Sequence, residues 1–318
     1  MEEGVWKGES TMDKNGKINV DRYLVKPGTT IRLKDFPTAC DVPEEKERVK
    51  TELFPAFLEE LSVMQAKLYA QSTYGLIFVL QAMDAAGKDS TIRRVFSHLD
   101  PNGVHVVSFK APSSEERDHD YMWRINKALP RRGEIGVFNR SQYEDVVITR
   151  VHDLIASDKI PKDLVDKNLW ATRYRQINDW ERYLSENGFP MVKIFLHVSK
   201  NEQRDRLADR ILNKKKNWKF SMADINERRY WDKYQELYSE MISATSTKYA
   251  PWYIVPADNK WYTRFVVAQI AEKHLKQIAP EFPEMPQEIR DQLDEFRRLI
   301  ESGNVNMIEE MQDVLFEK

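Results

Sequence analysis

The chain has 318 residues, with 49 lysines and arginines set against 51 aspartates and glutamates, for a formal net charge of −2. That balance excludes wholesale attraction to polyanions, so an anionic partner must be met by local segregation of charge. One cysteine, Cys40, excludes an intrachain disulfide, and no apolar run approaches the roughly 18 residues of a membrane span. The acidic start Met1-Glu2-Glu3-Gly4 lacks the basic and apolar regions of a signal peptide, so a soluble cytoplasmic protein is expected, with neither membrane nor nucleic acid as a partner.

Taken in chain order, residues 1–42 are polar and proline-containing and read as an extended arm. Residues 43–70 carry helical periodicity through Leu53, Phe57, Leu61, Met64 and Leu68. There follow a strand at 75–82, helix 88–99, strand 104–109, helix 115–128, strand 134–139 and helix 163–187. The chain continues with strand 191–198, helix 200–213, a basic segment, helix 223–243, strand 252–256 and helix 260–277. Such alternation predicts the α/β class: a three-layer α/β/α sandwich around a parallel sheet of about five strands. Pro280, Pro283 and Pro286 then break the pattern before a charged amphipathic tail, read as a packing or oligomerisation element. The expected organisation is an arm and helix over 1–70 packing on a core over 71–280, with a helical tail over 281–318.

Three segments carry chemistry. The apolar run Leu76 to Leu80 leads into Gln81-Ala82-Met83-Asp84-Ala85-Ala86-Gly87-Lys88-Asp89-Ser90, after which Ile92, Val95, Phe96 and Leu99 are spaced as in a helix. Strand, small-residue loop, Gly-Lys and helix form the layout of a phosphate-binding loop, whose amides and helix N-terminus surround phosphate oxygens. Ala82 stands where the first glycine of that motif belongs, and Asp89 replaces the usual hydroxyl after Lys88; an ordinary strand–helix turn stays open as the alternative. A carboxylate at Asp84 would repel phosphates unless a cation intervenes, although an Asx turn would also explain it.

The second segment is Ile135-Gly136-Val137-Phe138-Asn139-Arg140-Ser141-Gln142-Tyr143-Glu144-Asp145, a buried strand with a polar cluster past its carboxyl end. That end is where ligands bind in open parallel sheets. Asn139 or Ser141 can equally cap a helix whose first turn holds Glu144 and Asp145. Arg140 and Glu144 suit phosphate and metal better than packing, since a guanidinium grips phosphate oxygens in bidentate fashion. The third segment, Gln203 to Phe220, is basic and interleaved with aromatics, and follows the strand Val192 to Val198. It reads either as a solvated helix face or as a lid closing over phosphates, with Lys214, Lys215, Lys216 and Lys219 drawing in an anionic chain. The triplet Asp118-His119-Asp120 does not share a helix face, and no paired C-x-x-C or H-x-x-x-H suggests zinc.

Five segments in order make the chain resemble the polyphosphate kinase 2 family. They are Met83 to Asp89, Phe138 to Glu144, Phe195 to Lys200, Asn217 to Phe220 and Ala250 to Tyr253. The loop and the Asn-Arg-Ser-x-Tyr-Glu segment are similar to class III members. The resemblance implies a P-loop kinase-like fold with a helical lid over about 204–225, and reversible phosphoryl transfer from inorganic polyphosphate to AMP and ADP. It implies catalytic roles for Asp84, Lys88, Asn139, Arg140 and Glu144. Magnesium, with manganese as a substitute, would sit on Asp84, Asn139 and Glu144. Phosphate contacts are expected from Ala85, Ala86, Gly87, Lys88, Asp89 and Ser90, and along the donor from Lys110, Arg131, Arg206, Arg210 and Lys219, with Arg132 also a candidate. Arg140, Tyr143 and Glu144 would hold the nucleotide, adenine first and guanine second, in a homodimer or homotetramer. The chain departs from the family at Ser90, usually glycine, at Asn139, often aspartate, and at Asn217, where many relatives carry arginine. An ATP-dependent nucleoside monophosphate kinase, or a polyanion-binding module without chemistry, remains as an alternative.

Overall fold

The computed structural model of the chain describes residues 12–157 and 159–302. Its centre is β1 (Leu76–Ala82), whose residues Leu76 to Leu80 are fully buried. It pairs in parallel with β3 (Ile135–Asn139) on one side and β4 (Met191–His197) on the other. β2 (Val104–Ser108) and β5 (Trp252–Pro256) complete a five-stranded parallel sheet of order β2-β3-β1-β4-β5. Unbroken apolar runs such as Leu-Ile-Phe-Val-Leu are what a parallel strand covered on both faces requires. The chain moves outward from β1 to β2, returns to β3, and crosses over to β4 on the far side. The carboxyl end of β1 is therefore the topological switch point where α/β sheets bind ligands.

Helices cover both faces. One group comprises α1 (Phe54–Gln71), α2 (Lys88–Phe96) and the long helix Lys260–Ile278, whose residues Phe265 to Ala268 are fully buried. Phe57 meets Phe265 edge to face at 5.4 Å. Between β2 and β3 lie two short helices, α3 (Ser114–Arg117) and α4 (Trp123–Lys127). The uninterrupted helix anticipated there does not form, because the Asp120 carboxylate accepts the Met122 amide (2.9 Å) and turns the chain. The other group comprises α5 (Glu144–Val151), α6 (Leu169–Glu186) and a helix at Trp231–Thr245. α5 went unassigned from the periodicity, and α6 starts six residues later than expected, after a 3-10 turn at Lys162–Leu164.

α7 (Lys200–Leu212), a 3-10 stretch Lys214–Lys219, α8 (Met222–Glu227), a 3-10 turn Arg228–Tyr230 and α9 (Trp231–Thr245) form the segment between β4 and β5; α10 is Lys260–Ile278. The described part of the arm is fastened to the core rather than extended. Leu24 bridges Tyr253, the Ile18 amide donates to Gln269 Oε1 (2.8 Å), and the hydroxyls of Tyr23 and Tyr262 lie 2.6 Å apart. The chain divides into two compact units, Met1–Glu281 and Phe282–Lys318. In the second, α11 (Gln287–Glu301) leaves Ile289, Leu293 and Ile300 exposed. No described helix is long and apolar enough to cross a membrane.

One polar cluster lies inside the core. Lys193 of β4 and Glu181 of α6 are fully buried, with Nζ 2.5 Å from Oε2. The ammonium also donates to the Tyr143 hydroxyl (2.9 Å) and the Thr245 carbonyl (2.7 Å), and Tyr143 donates to Glu181 Oε1 (2.6 Å). A buried ion pair costs most when one partner is removed, because the other stays behind unpaired. Lys193→Met should therefore destabilise the protein by about 3–5 kcal/mol, and adding Glu181→Leu should recover much of that loss. Urea unfolding midpoints of the two variants measure this; a single variant as stable as the parent would mean that the pair is not held in the core.

Candidate active site

The loop leaving β1 turns through two left-handed residues, Ala85 (φ 59°) and Gly87 (φ 110°), and α2 begins at Lys88. Its carbonyls are taken up from behind. Lys88 Nζ donates to the Ala82 carbonyl (2.9 Å), Gln203 to that of Asp84 (2.9 Å), and Arg206 to those of Ala85 and Ala86 (3.1 and 2.6 Å). The same guanidinium reaches the Ala257 and Asp258 carbonyls across the β5–α10 connection (2.6 and 3.0 Å). The amides at the start of α2 are left to face an anion. Ser90 already lies in the first helical turn and donates its hydroxyl to the Gly87 carbonyl (3.0 Å), so the freedom of a glycine is not required there.

β3 delivers the second half. Asn139 Nδ2 donates to Asp89 Oδ1 (2.7 Å), while its buried Oδ1 has no hydrogen-bond partner among the described residues. Arg140 adopts a left-handed backbone (φ 67°), and its guanidinium stands 3.0 Å from Asp84 Oδ1 and 3.5 Å from Glu144 Oε2. Burial pushes the Glu144 carboxyl above its ordinary range, and burial together with the neighbouring Arg140 draws the Lys88 ammonium down. Among the described residues no three His, Cys, Asp or Glu side chains form a metal cluster. The donor set suits magnesium all the same, since that ion takes one or two protein oxygens together with phosphate and water. The Asp84 carboxylate and the unpartnered Asn139 oxygen supply such a pair.

These residues open into a cavity of about 770 Å³ that gathers ten cationic side chains against four carboxylates. So strong an excess, in a chain of net charge −2, marks an anion site. Residues 44–283 match the family model described as Polyphosphate kinase 2. The chain belongs to the polyphosphate kinase 2 family. It is 43% identical over 284 residues to the ADP-polyphosphate phosphotransferase of Rhodopseudomonas palustris, covering 89% of this chain and 98% of that protein. It is 42% identical to the AMP/ADP-polyphosphate phosphotransferase of Meiothermus ruber over 264 residues, 83% of this chain and 95% of the relative. The crystal structure of Polyphosphate Kinase 2 from Arthrobacter aurescens TC1 superposes with a TM-score of 0.75 at 38% identity, covering 86% of this chain and 95% of that one.

Within this polyphosphate kinase 2 framework the structure brings Asp84, Ala85, Gly87, Lys88, Asp89, Ser90, Lys110, Asn139, Arg140, Arg206, Arg210 and Lys219 to the cleft wall. Others fall elsewhere. Arg131 precedes β3, at the opposite end of the sheet, where it is exposed and its amide donates to Glu134; it is not a donor contact. Arg132 is tied at that same end to the carbonyls of Thr73 and Asn187. Tyr143 is fully buried, and its hydroxyl belongs to the Lys193–Glu181 cluster, so it does not touch a nucleotide. Arg206 reaches the wall but directs its guanidinium to four carbonyls, and so shapes the loop more than it grips a ligand. Asn217 donates to the carbonyls of Arg210 and Ile211 (2.8 and 2.7 Å), closing the end of α7 in place of a phosphate contact. Lys214 and Lys215 are exposed and lie off the cleft wall, whereas Lys216 and Lys219 line it.

Arg93, Lys260 and Arg264 were missed. Lys260 and Arg264 share one face of the first turns of α10, and burial followed by surrounding arginines lowers the pKa of each. The buried Arg264 Nε has no hydrogen-bond partner among the described residues. Cations crowded together in excess of the neighbouring Glu202 and Asp209 suit an anion. Lys260→Gln combined with Arg264→Gln should weaken polyphosphate binding by about tenfold, the worth of one charge-assisted contact. Lys214→Gln with Lys215→Gln should change it by less than about twofold, as for other exposed charges. Fluorescence titration with labelled polyphosphate distinguishes the pairs, and equal losses would place the donor on the exposed lysines.

Proposed function

We propose that this protein transfers the terminal phosphoryl group of inorganic polyphosphate to AMP and ADP, reversibly and with magnesium. The observation that carries this reading is the cleft of ten cations and four carboxylates converging on Lys88 at the mouth of the phosphate-binding loop. Names borne by the Rhodopseudomonas and Meiothermus relatives support the donor and the acceptors. A transferring phosphoryl group spreads its charge over outer oxygens, so catalysis is mainly alignment and charge neutralisation.

The residues divide that work. Lys88 would exchange the Ala82 and Met83 carbonyls for an oxygen of the migrating group, while the first amides of α2 hold another. Arg140, steadied between Asp84 and Glu144, bridges toward the acceptor phosphate. Asp84 and Asn139 would hold magnesium, which when bound supplies positive charge to the phosphate oxygens. Arg93, Lys260 and Arg264 lie along the donor's path.

Incubation with AMP, magnesium and polyphosphate, and no nucleoside triphosphate, should yield ADP and then ATP on chromatography. Product that appears only when ATP is supplied would make the protein an ATP-dependent nucleotide kinase, and no product under either condition would leave a polyanion binder. Lys88→Ala and Asp84→Asn should each lower kcat by about a hundredfold or more with an unchanged circular dichroism spectrum, as for lost transition-state charge stabilisation. Chelation by EDTA should abolish turnover, and added magnesium or manganese should restore it; turnover that persists in EDTA would remove the metal from the scheme.

A further inference from the structure

The turn that leaves β3 carries Ser141, Gln142 and Tyr143 between Arg140 and Glu144, and all three are fully buried. A polar turn at the rim of a cleft ordinarily faces water. This one turns into the core and meets the Lys193–Glu181 pair. Gln142 Nε2 donates to Glu181 Oε1 (3.3 Å), which also accepts the Tyr143 hydroxyl (2.6 Å). Lys193 Nζ donates to that hydroxyl and to the carbonyl of Thr245, the last residue of α9. From the other side Gln81 of β1 donates to Ser141 Oγ (3.2 Å). The Tyr143 ring meets Trp252 of β5 at 5.0 Å, and the indole donates to Thr245 Oγ1 (2.9 Å). Strands β1, β4 and β5 and helices α6 and α9 therefore all bear on one short turn.

Stability alone does not account for so many buried polar groups. A buried ion pair gives little net stabilisation, and apolar residues of similar volume often replace it without loss. The cluster also carries a cost, since Gln81 Oε1 and Gln142 Oε1 have no hydrogen-bond partner among the described residues. Apolar side chains would fill the same space, but only directed bonds fix where the turn lies along the sheet. Directly after it comes Glu144, whose amide donates to the Ser141 carbonyl (3.1 Å) and whose carboxylate stands 3.5 Å from Arg140. With its left-handed backbone (φ 67°), Arg140 has to be held from outside its own preferences.

We propose that Lys193, Glu181 and Tyr143 are positioning residues for phosphoryl transfer: through the buried turn they set Glu144 against Arg140, and so align that arginine with the acceptor phosphate. The proposal rests on the acceptor role given to Arg140 above. None of the three lines the cationic cleft, so their effect on the reaction passes through the turn. A displacement of about 1 Å at a reacting centre costs about a hundredfold in rate, which gives a rigid turn its value.

Two variants separate position from stability. Tyr143→Phe keeps the ring and removes the hydroxyl, whereas Lys193→Met with Glu181→Leu replaces the pair by apolar bulk. In each, kcat with AMP and polyphosphate should fall about tenfold at an unchanged polyphosphate KM, although the paired variant recovers most of its urea midpoint. A cycle with Glu144→Gln traces the route. Tyr143→Phe combined with Glu144→Gln should lose no more than Glu144→Gln alone, because residues acting through one another are not additive. The same cycle is read by calorimetry in the equilibrium affinity for AMP, which Tyr143→Phe should weaken by about threefold. Parental turnover in the paired variant, or losses that add in the cycle, would overturn the proposal. Should the parent form ADP only when ATP is the donor, the polyphosphate reading fails, and the affinity cycle still decides the positioning.

Discussion

The amides of a loop can face an anion only if its carbonyls find donors elsewhere. Leaving one buried carbonyl unsatisfied costs about 1–3 kcal/mol, and the loop after β1 turns several of them inward. Arg206 answers part of that need with one guanidinium, which takes two loop carbonyls and two more from the β5–α10 connection. Lys88 and Gln203 take the remainder. Because Arg206 and Gln203 both belong to α7, the helix that begins the basic segment also shapes the loop. The spacing between them, three residues on one helical face, lets a single element satisfy consecutive carbonyls.

The sheet supplies the rest of the arrangement. Parallel pairing levels the carboxyl ends of β1 and β3, with Leu80 opposite Asn139, so the loop and the Asn-Arg segment emerge side by side. Arg140 leaves β3 in a left-handed conformation, a strain of order 1–3 kcal/mol for a residue with a Cβ. Its amide bond to the Leu80 carbonyl (3.0 Å) and its two carboxylate partners hold it there. Beneath, Tyr143 is pinned by Lys193 and Glu181, which fixes the entry to α5 and hence the position of Glu144.

Much of this is legible in the residues. Five apolar runs between helical patterns announce a parallel sheet, and a small-residue loop ending in Gly-Lys announces phosphate. Legibility fails where meaning depends on tertiary distance. Arg131 and Arg140 look alike beside the same strand, yet they stand at opposite ends of it. Tyr143 sits within a polar motif, but its direction is set by Lys193, fifty residues away in the chain. Lys260 and Arg264 read as an ordinary helix face until α10 is placed against α2. The expected helix over 115–128 fails for a local reason, because the short Asp120 side chain offers the backbone a turn that periodicity does not register.

The basic segment does not wait bare. Arg210 is paired with Asp224 and Lys216 with Asp209, so carboxylates tethered to the same stretch of chain already neutralise part of it. Polyanion binding commonly draws its drive from small ions expelled into the solvent, and weakens steeply as salt is added. Here the ions displaced by an arriving chain would in part be the protein's own, and they cannot diffuse away. The entropy of ion release is smaller by that share, and counting lysines and arginines overstates how strongly salt should act. Without a ligand, the segment is also a weaker trap for unrelated polyanions, which must break two internal pairs to reach Arg210 and Lys216.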